Sequence, residues 1–255
     1  MTGGERDDRD AEADEAAGGA HAEESDGEAA SRLYDPPLLA HDLLRIDAPT
    51  RFHGAPAWVA AALARAPWVV VRRARDAAGS VPVGVRGTSR GERYGTRLAP
   101  GRIVARVRPE ALAGLDGAAS RHGGQREADG SCAADAVPAL AMLPALRDVF
   151  AAADLAWGPT GSVGFELASG VPTATATSDL DLLVRCPRRL PRDVARHLHD
   201  ALARVSRQHA DCRIDALLET PHGAVALTEY ATMPGPVLLR TTGAPCLRDD
   251  PWAPS

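Results

Sequence analysis

Ser178-Asp179-Leu180-Asp181-Leu182-Leu183-Val184 is the stretch that decides the fold. Side chains alternate across a strand with period two, so Leu180, Leu182 and Val184 share one face and Asp179 and Asp181 the other. The apolar face needs a core to cover it. The opposite face would hold two carboxylates about 7 Å apart at their Cα atoms, from a rise of ~3.4 Å per residue. Like charges this close repel unless something positive stands between them. A divalent cation that prefers oxygen, Mg²⁺ above all, meets that need. The plainer reading is an edge strand bearing two solvated acids.

Upstream, sixteen residues separate Ser162 from Asp179, and Gly161-Ser162 follows a glycine-rich turn, Trp157-Gly158-Pro159-Thr160. A turn that opens a helix offers backbone N–H groups and a hydroxyl to a phosphate. It equally suits an ordinary N-cap serine. Downstream, Asp215 stands among Ile214, Ala216 and Leu217 in a second strand, Arg213 to Leu218. An acid inside so apolar a run is costly if buried alone. Should the two strands be neighbours, Asp179, Asp181 and Asp215 form a three-carboxylate group able to hold metal for phosphoryl transfer. Glu219 shares the parity of Asp215 but is expected at a turn before Pro221, on the rim.

Further out, the chain alternates helix and strand. Strands are expected at Trp68–Arg72, Val81–Val85, Arg102–Val107, Gly223–Leu227 and Val237–Arg240. Helices are expected at Ala57–Ala66, Val163–Ala168 (stopped by Gly170) and Arg192–His209, whose Val194, Leu198, Leu202 and Val205 recur at helical spacing. Val137–Leu155 is helical in pattern, with Pro144 as a kink or break. Arg86 to Gly95 (RGTSRGERYG) reads as a Gly-rich loop. Residues 114–135 are poor in large apolar side chains and read as a linker. The fold class is therefore α+β in two domains. Residues 31–113 form a small α/β module, and 136–255 a mixed sheet flanked by helices.

Composition excludes several classes. The chain has 255 residues and 29 basic ones, all arginine, with no lysine. A Walker A loop, a Schiff base and a pyridoxal site all need lysine. Phosphate contacts must come from arginine or backbone N–H groups. The four cysteines are widely spaced without a CxxC pair, which argues against a zinc ribbon or a disulfide scaffold. Residues 1–30 hold eleven acids against two bases, a net −9 that leaves +4 on the other 225 residues. So acidic a stretch, without large apolar residues beyond Met1, is expected to be a disordered, solvating tail. It lacks the basic start and apolar run of a signal peptide, and no segment has the ~18 apolar residues of a membrane span. A cytoplasmic protein is expected, with no membrane partner. The modest +4, without basic–aromatic runs, speaks against nucleic acid.

Gly161-Ser162, the Asp179-x-Asp181 strand and a later lone Asp resemble the polymerase-β-type nucleotidyltransferase superfamily, although the sixteen-residue gap is longer than usual there. A narrower resemblance accounts for more of the chain. WGPTGSVGFELASG (157–170), SDLDLLVR (178–185), RIDALLETPHGAVALTEY (213–230) and LLRTTGAPCLRDDPW (238–252) are similar to the phosphoribosyl-dephospho-CoA transferase family of malonate decarboxylase, also called holo-acyl-carrier-protein synthases. HDLLRI (41–46), WVVVRRA (68–74) and VPVGVRG (81–87) look like the amino-terminal domain of that family, so the likeness covers about residues 33–252.

The resemblance implies a reaction. Phosphoribosyl-dephospho-CoA passes from 2′-(5″-triphosphoribosyl)-3′-dephospho-CoA to a serine of the apo acyl-carrier protein of malonate decarboxylase, and pyrophosphate leaves. It implies Mg²⁺ on Asp179, Asp181 and Asp215, with Asp215 also available to take the serine proton. Gly161 and Ser162 would hold the leaving phosphates. Arg86, Arg90 and Arg93 would add positive charge, with Arg72 and Arg73 behind them. Two other readings stand beside it: a nucleotidyltransferase serving another carrier or a small acceptor, and a catalytically inactive carrier-docking module. His41-Asp42 is expected to be structural. Trp68, Trp157 and Trp252 are expected to pack.

Overall fold

The computed structural model describes residues 37–47, 50–75, 79–89, 91–115 and 137–254. The acidic stretch 1–30, Arg90, Cys132 and nearly all of 114–135 lie outside the described residues.

The N-terminal half is a five-stranded antiparallel sheet: β1 (Leu43–Ile46), β2 (Trp68–Val71), β3 (Val81–Arg86), β4 (Arg93–Leu98) and β5 (Ile103–Val107), in the order β4-β3-β2-β1-β5. Alternation sorts its two faces. Leu44, Ile46, Val69, Val71, Val83, Val85 and Leu98 form a core with Val59, Ala62 and Leu63 of helix α1 (Ala57–Arg65). Leu43, Trp68, Val70 and Val107 pack into the other core, which belongs mainly to the C-terminal half.

Strand β4 departs from the expected loop. Arg93, Gly95 and Arg97 point away from the core, while Tyr94 and Leu98 face it. So few apolar residues hide the alternation, yet pairing of Val81–Arg86 with Leu98–Arg93 completes the sheet edge. The connecting loop shrinks to residues 87–92.

The C-terminal half opens with three short helices, α2 (Pro109–Leu112), α3 (Pro138–Ala141) and α4 (Leu143–Ala152). Pro144 lies in the first turn of α4, so the proline splits the helix rather than kinking it. A four-stranded mixed sheet follows, built from β6 (Trp157–Pro159), β7 (Leu180–Arg185), β8 (Ile214–Thr220) and β9 (Gly223–Ala226) in that order. Trp157 to Pro159, expected as part of a turn, is instead the edge strand β6, a position that tolerates Pro159. Helix α5 (Gly161–Ser169) leads from β6 and ends at Gly170 with φ 70°.

Helix α6 (Arg192–Gln208) makes the crossover that lets β8 run parallel to β7. It buries Ala195, Leu198, Leu202 and Val205 against the sheet core. Helix α7 (Leu227–Thr232) and the pair β10 (Val237–Leu239) and β11 (Cys246–Arg248) finish the chain. The architecture is α+β. Among the described residues, no helix is long and apolar enough to cross a membrane.

The halves share a core and charges. Leu43, Ala66 and Leu112 pack in one cluster with Trp157, Val184 and Leu218. Arg185 at the end of β7 pairs with Glu110 and reaches Asp42 Oδ1 at 3.8 Å, while Asp42, fully buried, also pairs with Arg106. His41-Asp42 is thus tied into the joint between the halves.

Candidate active site

Leu180, Leu182 and Val184 of β7 are all at most 1% exposed, which commits that face of the strand to the core. Fully burying each such side chain contributes about 1.5–3 kcal/mol. The opposite parity is thereby imposed on Asp181, which opens into a cleft of about 1150 Å³ between the two sheets. Parallel pairing in register places Asp215 beside Asp181, on the same face. Asp179 sits one residue before the strand begins, not within it as expected, and it is absent from the cleft lining among the described residues. Its charge still reaches Asp181.

Burial raises the Asp181 carboxyl above the usual aspartate range, and the neighbouring charges of Asp215 and then Asp179 push in the same direction. Arg86 and Arg93 oppose them. These arginines face each other at the end of the β3–β4 hairpin and line the cleft. Arg213 donates from Nε to Asp215 Oδ1 at 2.9 Å. Sequence reading missed it, although Arg213 stands two residues before Asp215 and therefore on the same face of the strand.

Helix α5 begins at this carboxylate. Thr160 N donates to the backbone oxygen of Asp181 at 2.8 Å. Gly161 is left-handed, with φ 59°, and a Cβ there would fall 2.0 Å from Asp181 Oδ2. Both the dihedral and the space demand glycine. Gly161 lines the cleft, whereas Ser162 is buried, 6% exposed, and absent from the lining.

The expected site therefore assembles in part. Asp181, Asp215, Gly161, Arg86 and Arg93 meet at one cleft, with Asp179 close by. Ser162 stands behind it, and Arg90 lies outside the described residues. Arg72 lines the cleft as well, while Arg73 is engaged elsewhere, in a two-bond pair with Glu219 whose Nη1–Oε1 contact is 2.7 Å. Glu219 is inside β8 rather than at a turn, so it serves the joint between the halves and not the rim of the site. The tryptophans pack: Trp157 stacks on Phe150, Trp252 meets Tyr230 edge-on, and Trp68 rests against the core.

An all-oxygen donor set and mutual repulsion at Asp181 suit an oxygen-preferring cation. Among the described residues, no group of three or more His, Cys, Asp or Glu side chains forms a ready metal cage. Carboxylates on one wall and guanidinium groups on the other can bind a polyphosphate and polarise it.

Two family models match the chain. The phosphoribosyl-dephospho-CoA transferase MdcG N-terminal domain covers residues 39–109, and the C-terminal domain of the same enzyme covers 111–251. Among curated proteins, the phosphoribosyl-dephospho-CoA transferase of Pseudomonas aeruginosa is 44% identical over 214 residues, 83% of this chain and 92% of the relative. That of Pseudomonas putida is 45% identical over 199 residues, 78% and 87% of the two chains. The Azotobacter vinelandii protein of the same name is 42% identical, covering 83% and 93%. No solved structure matches. With both domain models matching in order and full-length relatives this similar, the chain belongs to the phosphoribosyl-dephospho-CoA transferase family.

Proposed function

We propose that this protein transfers phosphoribosyl-dephospho-CoA from 2′-(5″-triphosphoribosyl)-3′-dephospho-CoA to a serine of the apo acyl-carrier protein of malonate decarboxylase. The observation that carries the reading is the pairing of Asp181 with Asp215 in register, facing Arg86 and Arg93 across one cleft. The serine oxygen attacks the phosphorus next to the ribose. A P–O bond forms to the serine, the P–O bond to the two outer phosphates breaks, and pyrophosphate departs with that electron pair. Asp215 receives the serine proton, with Arg213 fixing its carboxylate. Arg86 and Arg93 bind the triphosphate and offset charge gathering on the leaving pyrophosphate.

Asp179, Asp181 and Asp215 are the residues that would hold Mg²⁺, whose contribution when bound is to neutralise phosphate charge. The donor chemistry at Asp181 and the room left by Gly161 support that assignment. Gly161 brings the start of α5 to the phosphates, and Ser162 supports it from behind. Because the reaction uses a soluble donor and a carrier protein, the expected setting is the cytoplasm.

The test is the intact mass of that apo carrier protein after incubation with the donor, Mg²⁺ and the purified chain. The expected result is a gain of one phosphoribosyl-dephospho-CoA. The gain should vanish with Asp179→Ala/Asp181→Ala and when the metal is chelated. A carrier left unmodified by a folded enzyme with intact donor would overturn the choice of acceptor, and a gain independent of both aspartates would overturn the site.

A further inference from the structure

The wall opposite the carboxylates contains a feature that the reaction as described does not use. Arg72 follows β2, and its backbone N donates to Pro82 O at 2.8 Å. Its side chain then lies across two glycines that are paired in the β3–β4 hairpin, Gly84 and Gly95. A Cβ on Gly84 would meet Arg72 Cδ at 3.5 Å, an ordinary contact with the aliphatic stem. A Cβ on Gly95 would fall 2.2 Å from Nη1 and 2.8 Å from Cζ. The guanidinium thus occupies the space that a side chain at 95 would fill.

The next pair along the same face of the hairpin is Arg86 and Arg93. One same-face step along a strand is about 7 Å, so the Arg72 guanidinium, lying over the Gly84–Gly95 pair, stands about one step along the hairpin from the paired positions of Arg86 and Arg93. Arg72, Arg86 and Arg93 all line the cleft. Among the described residues, β2, β3 and β4 contribute no acid to that lining, and its carboxylates come from the other half of the chain. Arginines at two successive steps of one wall fit a ligand that carries several negative charges in line. Planar guanidinium groups hold phosphate oxygens with two parallel bonds.

We infer that Arg72, laid flat by Gly84 and Gly95, is the far anchor of a linear polyphosphate site that begins at Arg86 and Arg93. This deepens the transferase reading and rests on it for the ligand: the donor's outermost phosphate would lie on Arg72. Arg72 then serves to bind and align the pyrophosphate that leaves, and takes no part in proton transfer.

The test measures binding of inorganic tripolyphosphate to the full chain by calorimetry, with thermal unfolding as the check on folding. Arg72→Ala should weaken binding about tenfold or more, the loss of a charge-assisted contact. Arg72→Lys should restore only part of it, since an ammonium group cannot make the paired bonds. Gly95→Ala should come within about threefold of Arg72→Ala, because one methyl group displaces the guanidinium. Its melting temperature should stay near that of the parent, because the group displaced is the free end of a flexible side chain. Arg97→Ala is the charge control. Arg97 is on the same strand but contacts Arg75 O and Ser80 outside the cleft lining, so binding should change less than about twofold.

Unaltered tripolyphosphate binding in folded Arg72→Ala would overturn the inference. So would an Arg97→Ala loss equal to that of Arg72→Ala, which would reduce the effect to general charge. A Gly95→Ala protein that binds normally would overturn the role given to the glycines. Because binding is read without the carrier protein, failure of carrier modification bears on the transferase reading alone.

Discussion

The two sheets are built from opposite materials. The N-terminal sheet is antiparallel throughout, and its cleft side presents Arg72, Arg86 and Arg93 beside glycines. The C-terminal sheet contains the single parallel pair found among the described strands, β7 and β8, and presents Asp181 and Asp215. An antiparallel hairpin needs only a short turn, so it sets two arginines face to face from residues seven apart in sequence, Arg86 and Arg93. A parallel pair needs a crossover, here α6, and brings together acids that are 34 residues apart, Asp181 and Asp215. The lesson is that charge separation across the cleft is inherited from topology. Among the described residues, the acids of the lining all come from the C-terminal half, where Arg213 and Arg240 line the cleft beside them, while arginine is the charged residue that the N-terminal half contributes.

The sharpest way to break this contrast is at the acidic wall. Asp181→Asn keeps the shape and removes the charge that Arg86 and Arg93 stabilise. Turnover measured by carrier mass gain should fall about a thousandfold, the scale of losing a central electrostatic group in a site of this kind, while the melting temperature stays level or rises. The rise would follow from removing a charge disfavoured by burial and then by the repulsion of Asp215 and Asp179.

The next effect is at the joint. Arg185→Met leaves Glu110 and fully buried Asp42 short of a cation, and chemical denaturation should report a loss of about 3 kcal/mol, the scale for breaking a buried pair. Unchanged stability would mean that the walls are held by apolar packing alone.

Gly161→Ala sharpens the comparison from the other side. The methyl group would collide with Asp181 Oδ2, and the left-handed backbone adds about 1–2 kcal/mol of strain. A loss of roughly a hundredfold in kcat is expected, with much less change in KM, because the misplaced group is the reacting wall rather than the binding one.

The smallest expected effect is a pH slope. Burial, then Arg73 and Arg185, lower the His41 pKa from 6.5 to about 4. The unfolded chain therefore binds more protons than the folded one between those values. Stability present above pH 6.5 is lost as the pH falls toward 4. Thermal unfolding from about pH 7 to about pH 4.5 should show this fall, and His41→Asn should flatten it. Asparagine suits the substitution because residue 41 has φ 74°, which asparagine tolerates better than most residues.

Much of this was legible in the chain. The strand at 180–185, the helix at 192–208 and the α5 stop at Gly170 follow from local period and turn chemistry, and they stand within a residue or two of the expected bounds. Strand β4 was not legible because four of its six residues are Arg, Gly or Thr and only an adjoining strand reveals their role. Strand β6 was read as a turn because Gly158 and Pro159 are turn residues, and only pairing with Leu182–Val184 makes them an edge.

Parity along a strand is a local property, so the sequence by itself determined that Asp181 must face away from the core and that Asp215 must stand alone among apolar neighbours. Which strands lie side by side depends on contacts between distant residues, which no local pattern encodes. Only the tertiary structure decided that β8 lies in register beside β7, that Arg73 is spent on Glu219 146 residues away, and that the Arg72 guanidinium fills the space over Gly95.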